Sequence, residues 1–192
     1  MTRVVLASGS PRRRELLREL GVEAVVRPAD VDETPLDDES PEALVARLAR
    51  TKATAIDVDE TDLVIAADTV VAVDGDILGK PEDEAHAGVM LRRLSGTTHR
   101  VITGVHLRLG AAEQHAVETT SITFRPLSDR EVDDYVGTGE PMDKAGAFAI
   151  QGLAADFVTS IDGSHSNVVG LPLDVVVALA GELGASLGRG VS

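Results

Sequence analysis

Three arginines follow a Gly/Ser turn near the start of the chain, in the stretch LASGSPRRRELL (Leu6–Leu17). A strand that turns into a helix in this way presents free backbone N–H groups and the positive end of the helix dipole. Ser8 and Ser10 add hydroxyl donors, and guanidinium groups such as that of Arg13 bind phosphate through paired hydrogen bonds. The stretch favours an anion site. The structural alternative is a solvated first turn whose arginines pair with nearby glutamates.

A single carboxylate interrupts the most apolar segment of the chain, DLVIAADTVVAV (Asp62–Val73). The apolar run predicts a central strand that is covered on both faces. A carboxylate at Asp68 would therefore need a cation, a metal ion or a hydrogen-bond network. There it could ligate Mg²⁺ or act as a general base, and the alternative is a structural aspartate satisfied near an edge or turn.

Lysine is scarce, with three lysines against 15 arginines. The three either mark positions that need a compact point charge or are retained by chance. Lys80 lies in the stretch LGKPED after a predicted hairpin, and Lys52 is a polar position among alanines on a predicted helix. Each lysine alone is more typical of a solvated surface. Together with Asp68 and the Gly/Ser turn with its following arginines (Ser8–Arg14, the arginine turn), they indicate a polyphosphate and metal site. Glu33 could supply a second carboxylate there.

Two further features carry less weight. The pentapeptide DVDET occurs at Asp30–Thr34 and again at Asp57–Thr61, and two such short matches do not form a structural repeat. His165 lies in the polar turn SHSNVVGLP. Because no second histidine stands at ligand spacing, His165 is interpreted as a turn residue rather than a metal ligand.

Composition limits the class of protein. The 192 residues carry a formal net charge of −14, which repels nucleic acid but leaves room for a small anionic ligand at a local basic cluster. No cysteine is present, so disulfides and thiolate metal sites are excluded. No apolar run approaches the roughly 18 residues of a membrane span, and no signal peptide is visible. We expect a cytoplasmic protein without membrane or nucleic-acid partners.

Periodicity and capping signals predict an α/β fold with a mixed central sheet flanked by helices. The predicted strands are Val4–Ala7, Glu23–Arg27, Asp62–Val73, a short partner strand after the turn at Asp74, Thr98–Leu109, Gln114–Arg125, Ala147–Gln151 and Phe157–Ile161. The predicted helices are Arg12–Leu20, a segment from Pro41 to about Asp57, Glu82–Leu94, Asp129–Val136 and a mostly buried final helix at Leu173–Leu187. Ser128 and Glu131 form a capping-box pattern ahead of the fourth helix.

Seven motifs occur in an order that resembles the Maf family of nucleoside triphosphate pyrophosphatases, which are related in fold to inosine triphosphatases. The motifs are LASGSPRRRELL, RLARTKA, AADTVV, GKPED, LSGTTHRVITGV, DKAGAFAIQG and SNVVGLPL. They extend from about Val4 to Leu173, nearly the whole chain. The resemblance implies one domain over residues 1–192, with two lobes around a single active-site cleft.

The resemblance also implies a reaction. Maf proteins cleave the bond between the α- and β-phosphates with Mg²⁺ or Mn²⁺, giving a nucleoside monophosphate and pyrophosphate. Asp68 matches the family's proton acceptor, and Glu33 and Asp68 would hold the metal. The matched phosphate- and metal-binding set is Ser8, Arg13, Glu33, Lys52 and Lys80. The first DVDET copy is then the one that carries a site residue.

Substrate choice within the family depends on three positions. The branch that acts on dTTP, UTP and related pyrimidine nucleotides has the residues found here at Arg12, Thr69 and Gln151. A glutamine amide offers both a donor and an acceptor to a pyrimidine edge. The 7-methyl-GTP branch differs at these positions, with Trp in place of Arg12.

Other readings of the resemblance stay open. The family is associated with septum formation and cell-division arrest, so one alternative is a regulator that binds nucleotide without turnover. Another is 7-methyl-GTP cleavage. A house-cleaning role, the removal of non-standard nucleotides, is compatible with the residues. Family members are often dimeric, which makes a homodimer that uses the apolar C-terminal helix a further expectation.

Overall fold

The computed structural model describes residues 2–187 and confirms an α/β fold. Its strands are β1 (Val4–Leu6), β2 (Val25–Val26), β3 (Leu63–Val73), β4 (Asp76–Leu78), β5 (Thr98–Leu109), β6 (Ala112–Phe124) and β7 (Val158–Asp162). Its helices are α1 (Pro11–Glu19), α2 (Pro41–Ala55), α3 (Glu84–Leu94), α4 (Asp129–Val136), α5 (His165–Val169) and α6 (Leu173–Glu182). Short 3₁₀ segments occupy Glu140–Asp143, Ala145–Ala147 and Leu153–Phe157. No helix within residues 2–187 is long and apolar enough to cross a membrane.

The sheet is mixed, as expected. Across residues 2–187 its strands follow the order β2-β1-β3-β5-β6-β7, with β4 paired to β3. β1 is parallel to both of its neighbours, with Val5 opposite Val25 of β2 and Val64 of β3. α1 provides the crossover that the parallel β1–β2 pair requires. The pairs β3–β4 and β6–β7 are antiparallel.

The chain divides into two compact units. The first combines the chain up to Asp68 with Thr103–Glu118 and the chain from Gly170 onward. The second comprises Thr69–Ile102 and Thr119–Val169. Strands β3, β5 and β6 each contribute residues to both units.

The first unit packs small side chains where α2 meets the sheet. Ala7, Ala53, Val64 and Ala66 form one buried cluster. A Cβ at Gly104 of β5 would lie only 2.5 Å from the carbonyl carbon of Val45 and 2.8 Å from the next backbone nitrogen. The absence of a side chain at this position therefore allows α2 to approach the strand closely.

The second unit has an aromatic core that contains all four aromatic residues of the chain. Phe124 packs edge-on against Phe148 and Phe157, and Tyr135 packs in the same manner against Phe157. The imidazole of His99, almost fully buried, contacts Phe124 with ring centroids 4.7 Å apart. These rings are therefore concentrated in one of the two units.

One predicted strand is wrong. Residues 147–151 do not form a strand, because Gly146 and Ala147 both adopt positive φ angles, of 69° and 59°, at the end of a 3₁₀ segment. Backbone in this left-handed region cannot continue an extended strand. A Cβ at Gly146 would also lie 2.7 Å from a methyl group of Val71, so this turn packs directly on β3.

Several boundaries also differ from the prediction. β2 has two residues rather than five, and α3 begins at Glu84 because the Asp83 side chain caps it. The final helix ends at Glu182 rather than Leu187, ahead of Gly184, whose φ is 73°. Nor is that helix mostly buried, since Val177 on its outer face is 40% exposed.

Candidate functional site

The arginine turn folds as a strand, a tight turn and a capped helix. Ser10 is the N-cap of α1, and its Oγ accepts from the Arg13 backbone N–H at 3.5 Å. Ser8, at the end of β1, is buried, and its Oγ accepts from the Ser10 backbone N–H at 3.2 Å. Pro11 occupies the first position of the helix, where a missing N–H costs nothing. These hydrogen bonds make the segment rigid up to the start of α1.

Arg13 is fixed within this turn rather than extended into solvent. Its Nη1 donates to Ser8 Oγ at 3.1 Å, and its Nε donates to the carbonyl of Gly170 at 2.7 Å. Burial lowers the pKa of Arg13, while the carboxylates of Asp68 and Glu33 act in the opposite direction. An arginine starts so far above neutral pH that the group stays charged. The first unit therefore holds a preorganised guanidinium near both carboxylates.

Lys52 lies on the buried face of α2. That helix buries Leu44, Val45, Leu48, Ala49, Lys52 and Ala53, a spacing that turns one stripe toward the sheet. The ammonium of Lys52 donates to Asp68 Oδ1 on β3 at 2.6 Å. Both side chains are about nine-tenths buried. The buried aspartate expected from the apolar run thus finds its compensating charge in this lysine.

Glu33 reaches the same ammonium from an irregular loop. Its Oε1 lies 2.6 Å from Lys52 Nζ, although the Glu33 side chain is 54% exposed. Arg47 of α2 anchors that loop, because its Nη2 donates to the Thr34 carbonyl and it forms a bidentate pair with Glu39. This pairing lowers the pKa of Glu39 to about 2. The loop that carries Glu33 is therefore tied to the helix that carries Lys52.

One ammonium consequently bridges two carboxylates from different elements. Lys52 Nζ is 2.6 Å from an oxygen of each, which gives the group of three a net negative charge. The Ser8–Arg13 turn of the same unit adds positive charge and hydroxyl donors. Between residues 2 and 187 no group of three or more His, Asp or Glu side chains is arranged to hold a metal ion. Any metal here would need ligands from a bound substrate or from water as well.

The remaining candidates in the first unit and at its boundary are Arg12 and Thr69. Arg12 is half-buried on the first turn of α1, and its charge acts on the pKa of Arg13. Thr69 directly follows Asp68 on β3 and is half-buried, as the first residue of the second unit. Each is therefore the sequence neighbour of a residue described above, Arg12 of Arg13 and Thr69 of Asp68.

Lys80 and Gln151 both belong to the second unit, and both are exposed. Lys80 follows β4, and the carbonyl of the preceding Gly79 accepts from the Gly146 backbone N–H at 3.0 Å. Gln151 lies in the turn between two 3₁₀ segments, where the sequence predicted a strand. The segment from Gly146 to Gln151 is thereby joined to the lysine loop by a backbone hydrogen bond.

The structure brings five of the predicted residues into two bonded sets in the first unit. One set is Ser8 with Arg13, and the other is Lys52 with Glu33 and Asp68. The carboxylates of the second set act electrostatically on Arg13 of the first. It also adds groups that the sequence analysis missed. The Gly170 carbonyl that orients Arg13 is backbone and leaves no residue-type signal, and Arg47 was one arginine among many. His165, exposed at the start of α5, belongs to no group of three or more possible metal ligands among the described residues.

Comparison with known families gives a match over most of the chain. The family model described as Maf-like protein matches residues 3–183. A dTTP/UTP pyrophosphatase of Anaeromyxobacter dehalogenans is 53% identical over 189 residues, 96% of each chain. Proteins with the same name from Symbiobacterium thermophilum and Nitrosomonas europaea are 51% and 48% identical. These alignments cover 96% of this chain and 95% and 96% of the two relatives.

A solved structure, that of the Staphylococcus aureus Ham1 protein, is 17% identical. It aligns with a TM-score of 0.45 over 64% of this chain and 72% of that chain.

Proposed function

Because this chain belongs to the Maf family, we propose that it hydrolyses nucleoside triphosphates to the monophosphate and pyrophosphate, with dTTP and UTP preferred. The observation that carries the proposal is the placement of Lys52 between Asp68 and Glu33 beside a preorganised arginine turn. Cations for phosphate and carboxylates for a metal and a proton are the groups that phosphoanhydride hydrolysis needs. Relatives named dTTP/UTP pyrophosphatase support the substrate choice.

In this proposal the arginine turn binds the triphosphate. The Arg13 guanidinium is already oriented by Ser8 and by the Gly170 carbonyl, so little side-chain entropy is lost when phosphate binds. Arginine suits phosphate oxygens because its N–H groups form a planar fork. Lys80 adds a point charge that would partly neutralise the phosphates. Lys52 would do the same if a divalent cation compensated the two carboxylates that it now contacts.

The two carboxylates fit a divalent cation. Mg²⁺ is commonly held by one or two protein carboxylates, with water and substrate phosphates completing its shell. Glu33 and Asp68 supply such a pair, because they converge on one point from a loop and a strand. Mg²⁺ or Mn²⁺ bound there would neutralise phosphate charge in the transition state.

Asp68 is the proposed general base. A carboxylate can accept a proton from the attacking water. Its Oδ1 accepts from Lys52, which holds the carboxylate in one orientation. After attack, the bond between the α- and β-phosphates breaks, and the water oxygen remains on the nucleoside monophosphate. Pyrophosphate leaves with the electron pair of that bond.

Base recognition is assigned to three residues, Arg12, Thr69 and Gln151. The Gln151 amide can donate to the O4 carbonyl of uracil or thymine while it accepts from N3–H. Cytosine and adenine present the reverse pattern, an amino donor beside a ring-nitrogen acceptor, whereas guanine offers the same acceptor and donor on a larger ring system. We further propose that the protein acts in the cytoplasm and assembles as a homodimer.

The test is pyrophosphate release from UTP, dTTP, CTP, GTP and 7-methyl-GTP, measured with Mg²⁺. We expect turnover of the uridine and thymidine nucleotides, with the monophosphate and pyrophosphate as products in equal amounts. A preference for GTP or 7-methyl-GTP would contradict the substrate assignment but not the reaction. Nucleotide binding without turnover of any substrate would contradict the enzyme and favour a regulator of septum formation.

A further inference from the structure

Two polar side chains tie down both sides of the turn that carries Gln151. The Tyr135 hydroxyl at the end of α4 donates to Glu140 Oε1 at 2.8 Å, and it accepts from the Ala149 backbone N–H at 3.0 Å. The Leu153 backbone N–H donates to Glu140 Oε1 at 3.1 Å. Ala149 and Leu153 stand two residues before and two residues after Gln151. We call this arrangement the Tyr135–Glu140 clamp.

The turn also packs closely on the clamp. A Cβ at Gly152 would lie 2.5 Å from the Glu140 carboxyl carbon. The backbone next to Gln151 therefore lies directly against the carboxylate, and a side chain at Gly152 would require Glu140 to move. The clamp therefore fixes the turn by contact as well as by hydrogen bonds.

The clamp itself is rigid. Tyr135 is 4% exposed, and its ring packs edge-on against Phe157 with centroids 5.2 Å apart. Glu140 follows a turn in which its own N–H donates to Thr138 Oγ1, and that hydroxyl donates to the Tyr135 carbonyl. Gly139 between them has a φ of 74°, a conformation that favours glycine. Both members of the clamp are thus held by their surroundings, independently of Gln151.

We propose that Tyr135 and Glu140 are positioning residues that set base selectivity through Gln151, an inference that rests on the proposed function. Hydrogen bonds to a base edge weaken steeply when the donor and acceptor move out of line. A turn released at either end would let the Gln151 amide drift, whereas the arginine turn and Lys52 belong to the other unit and keep their own contacts. Loss of the clamp should then weaken base recognition more than the chemical step.

The experiment compares Tyr135→Phe and Glu140→Gln with Gln151→Ala, using kcat and KM for UTP and for CTP, whose base has the same ring size but the reverse donor and acceptor pattern. Tyr135→Phe removes only the hydroxyl, and Glu140→Gln keeps the shape of the side chain. The matched control is Glu182→Gln, an exposed glutamate at the end of α6. We expect the UTP-over-CTP ratio of kcat/KM to fall about tenfold in both clamp variants, chiefly through a higher KM for UTP. The control should keep the ratio of the unsubstituted protein.

Combination with Gln151→Ala gives a sharper result. If the clamp acts through Gln151, adding Tyr135→Phe to Gln151→Ala should lower the ratio no further. A purely structural role would instead lower kcat for both nucleotides equally and would add to the effect of Gln151→Ala. Amide hydrogen exchange at Ala149 and Leu153, which needs no substrate, should be faster in both clamp variants.

The outcomes separate the inference from the function on which it rests. One outcome is that the clamp variants show faster amide exchange but an unchanged ratio of kcat/KM values, while Gln151→Ala lowers that ratio. This outcome overturns the inference and leaves the proposed function standing. An unchanged ratio in Gln151→Ala itself also overturns the inference, since no base reading would pass through that residue. If the unsubstituted protein hydrolyses no nucleoside triphosphate, the proposed function fails and the inference fails with it.

Discussion

Lys52 Nζ lies 2.6 Å from Asp68 Oδ1, at the contact between the buried face of α2 and the central strand β3. A charge buried in an apolar strand is tolerated only when a partner compensates it, and here the partner is itself buried. The same ammonium also bonds Glu33 from the loop. Lys52 therefore occupies the point at which two carboxylates meet.

Asp68→Asn should lower kcat for UTP by about 100-fold or more, because an amide cannot accept the proton from water. A matched control is Asp62→Asn, which alters another buried aspartate that pairs with a cation, with Arg3 Nε 2.9 Å from its Oδ1. The steady-state rate of pyrophosphate release at saturating UTP gives kcat, and thermal unfolding gives the stability of each variant. Asp62→Asn should lower stability while it preserves kcat. Equal loss of kcat in the two variants would contradict a specific role for Asp68.

Lys52→Met should increase the affinity of the nucleotide-free protein for Mn²⁺. The substitution removes the ammonium group that lies between Asp68 and Glu33. A divalent cation then no longer competes with the Lys52 ammonium for the two carboxylates. Electron paramagnetic resonance of free Mn²⁺ gives the dissociation constant directly. Lys144→Met is the control, since Lys144 donates to the Glu140 carbonyl and pairs with Asp143. An unchanged Mn²⁺ affinity in Lys52→Met would argue against a metal held by these carboxylates.

The buried His99 should make stability depend on pH. Burial among aromatic rings lowers the pKa of His99 to about 4, whereas an unfolded histidine titrates near 6.5. Between these values the unfolded chain binds a proton that the folded chain does not. The unfolding free energy should therefore fall by about 3 kcal/mol as the pH falls from about 6.5 to about 4.

Denaturant unfolding at a series of pH values measures this effect. His99→Leu should flatten that part of the profile because leucine does not titrate. The control is His165→Gln, which removes an exposed histidine and should keep the slope of the unsubstituted protein. A slope that persists in His99→Leu would show that other groups cause it.

Gly104→Ala should destabilise the protein by about 1–3 kcal/mol or more. The added methyl group would meet backbone atoms of Val45 and Ala46 at 2.5–2.8 Å, and a helix backbone cannot yield as a side chain can. Chemical denaturation measures the change in unfolding free energy. Gly181→Ala provides the control, because a Cβ at that exposed helical position has no atom within 4 Å. It should raise stability by up to about 1 kcal/mol.

Local signals predicted most of the regular elements. The Ser128–Glu131 capping box is present with both of its hydrogen bonds, and it starts α4 where expected. The apolar run that ends at Val73 forms β3 as predicted, because a nearly continuous apolar segment suits a strand covered on both faces. The strand predicted at Ala147–Gln151 is wrong. The alternation of residues there resembles a strand, but Gly146 and Ala147 have positive φ angles. Gly146 packs closely on Val71, a contact that local sequence does not reveal.

The candidate site was predicted by residue type and not by geometry. A buried Asp68 required a cation, but nothing in the spacing identified Lys52, 16 residues earlier, as that cation. Glu33 comes from an irregular loop whose path depends on the Arg47–Glu39 pair, and no periodic pattern predicts such a path. Tyr135 was missed as well, because its role comes from one hydroxyl that bonds a carboxylate and a distant backbone amide.

The order of segments in the first unit has a consequence for synthesis on the ribosome. That unit takes its pieces from the beginning, the middle and the end of the chain, and Arg13 is oriented by the carbonyl of Gly170. A nascent chain that has emerged only as far as β7 already contains the arginine turn, Lys52 and Asp68, but it lacks the group that holds Arg13. The arginine turn can therefore assume its final form only in the last stage of translation, so a prematurely terminated chain should be inactive.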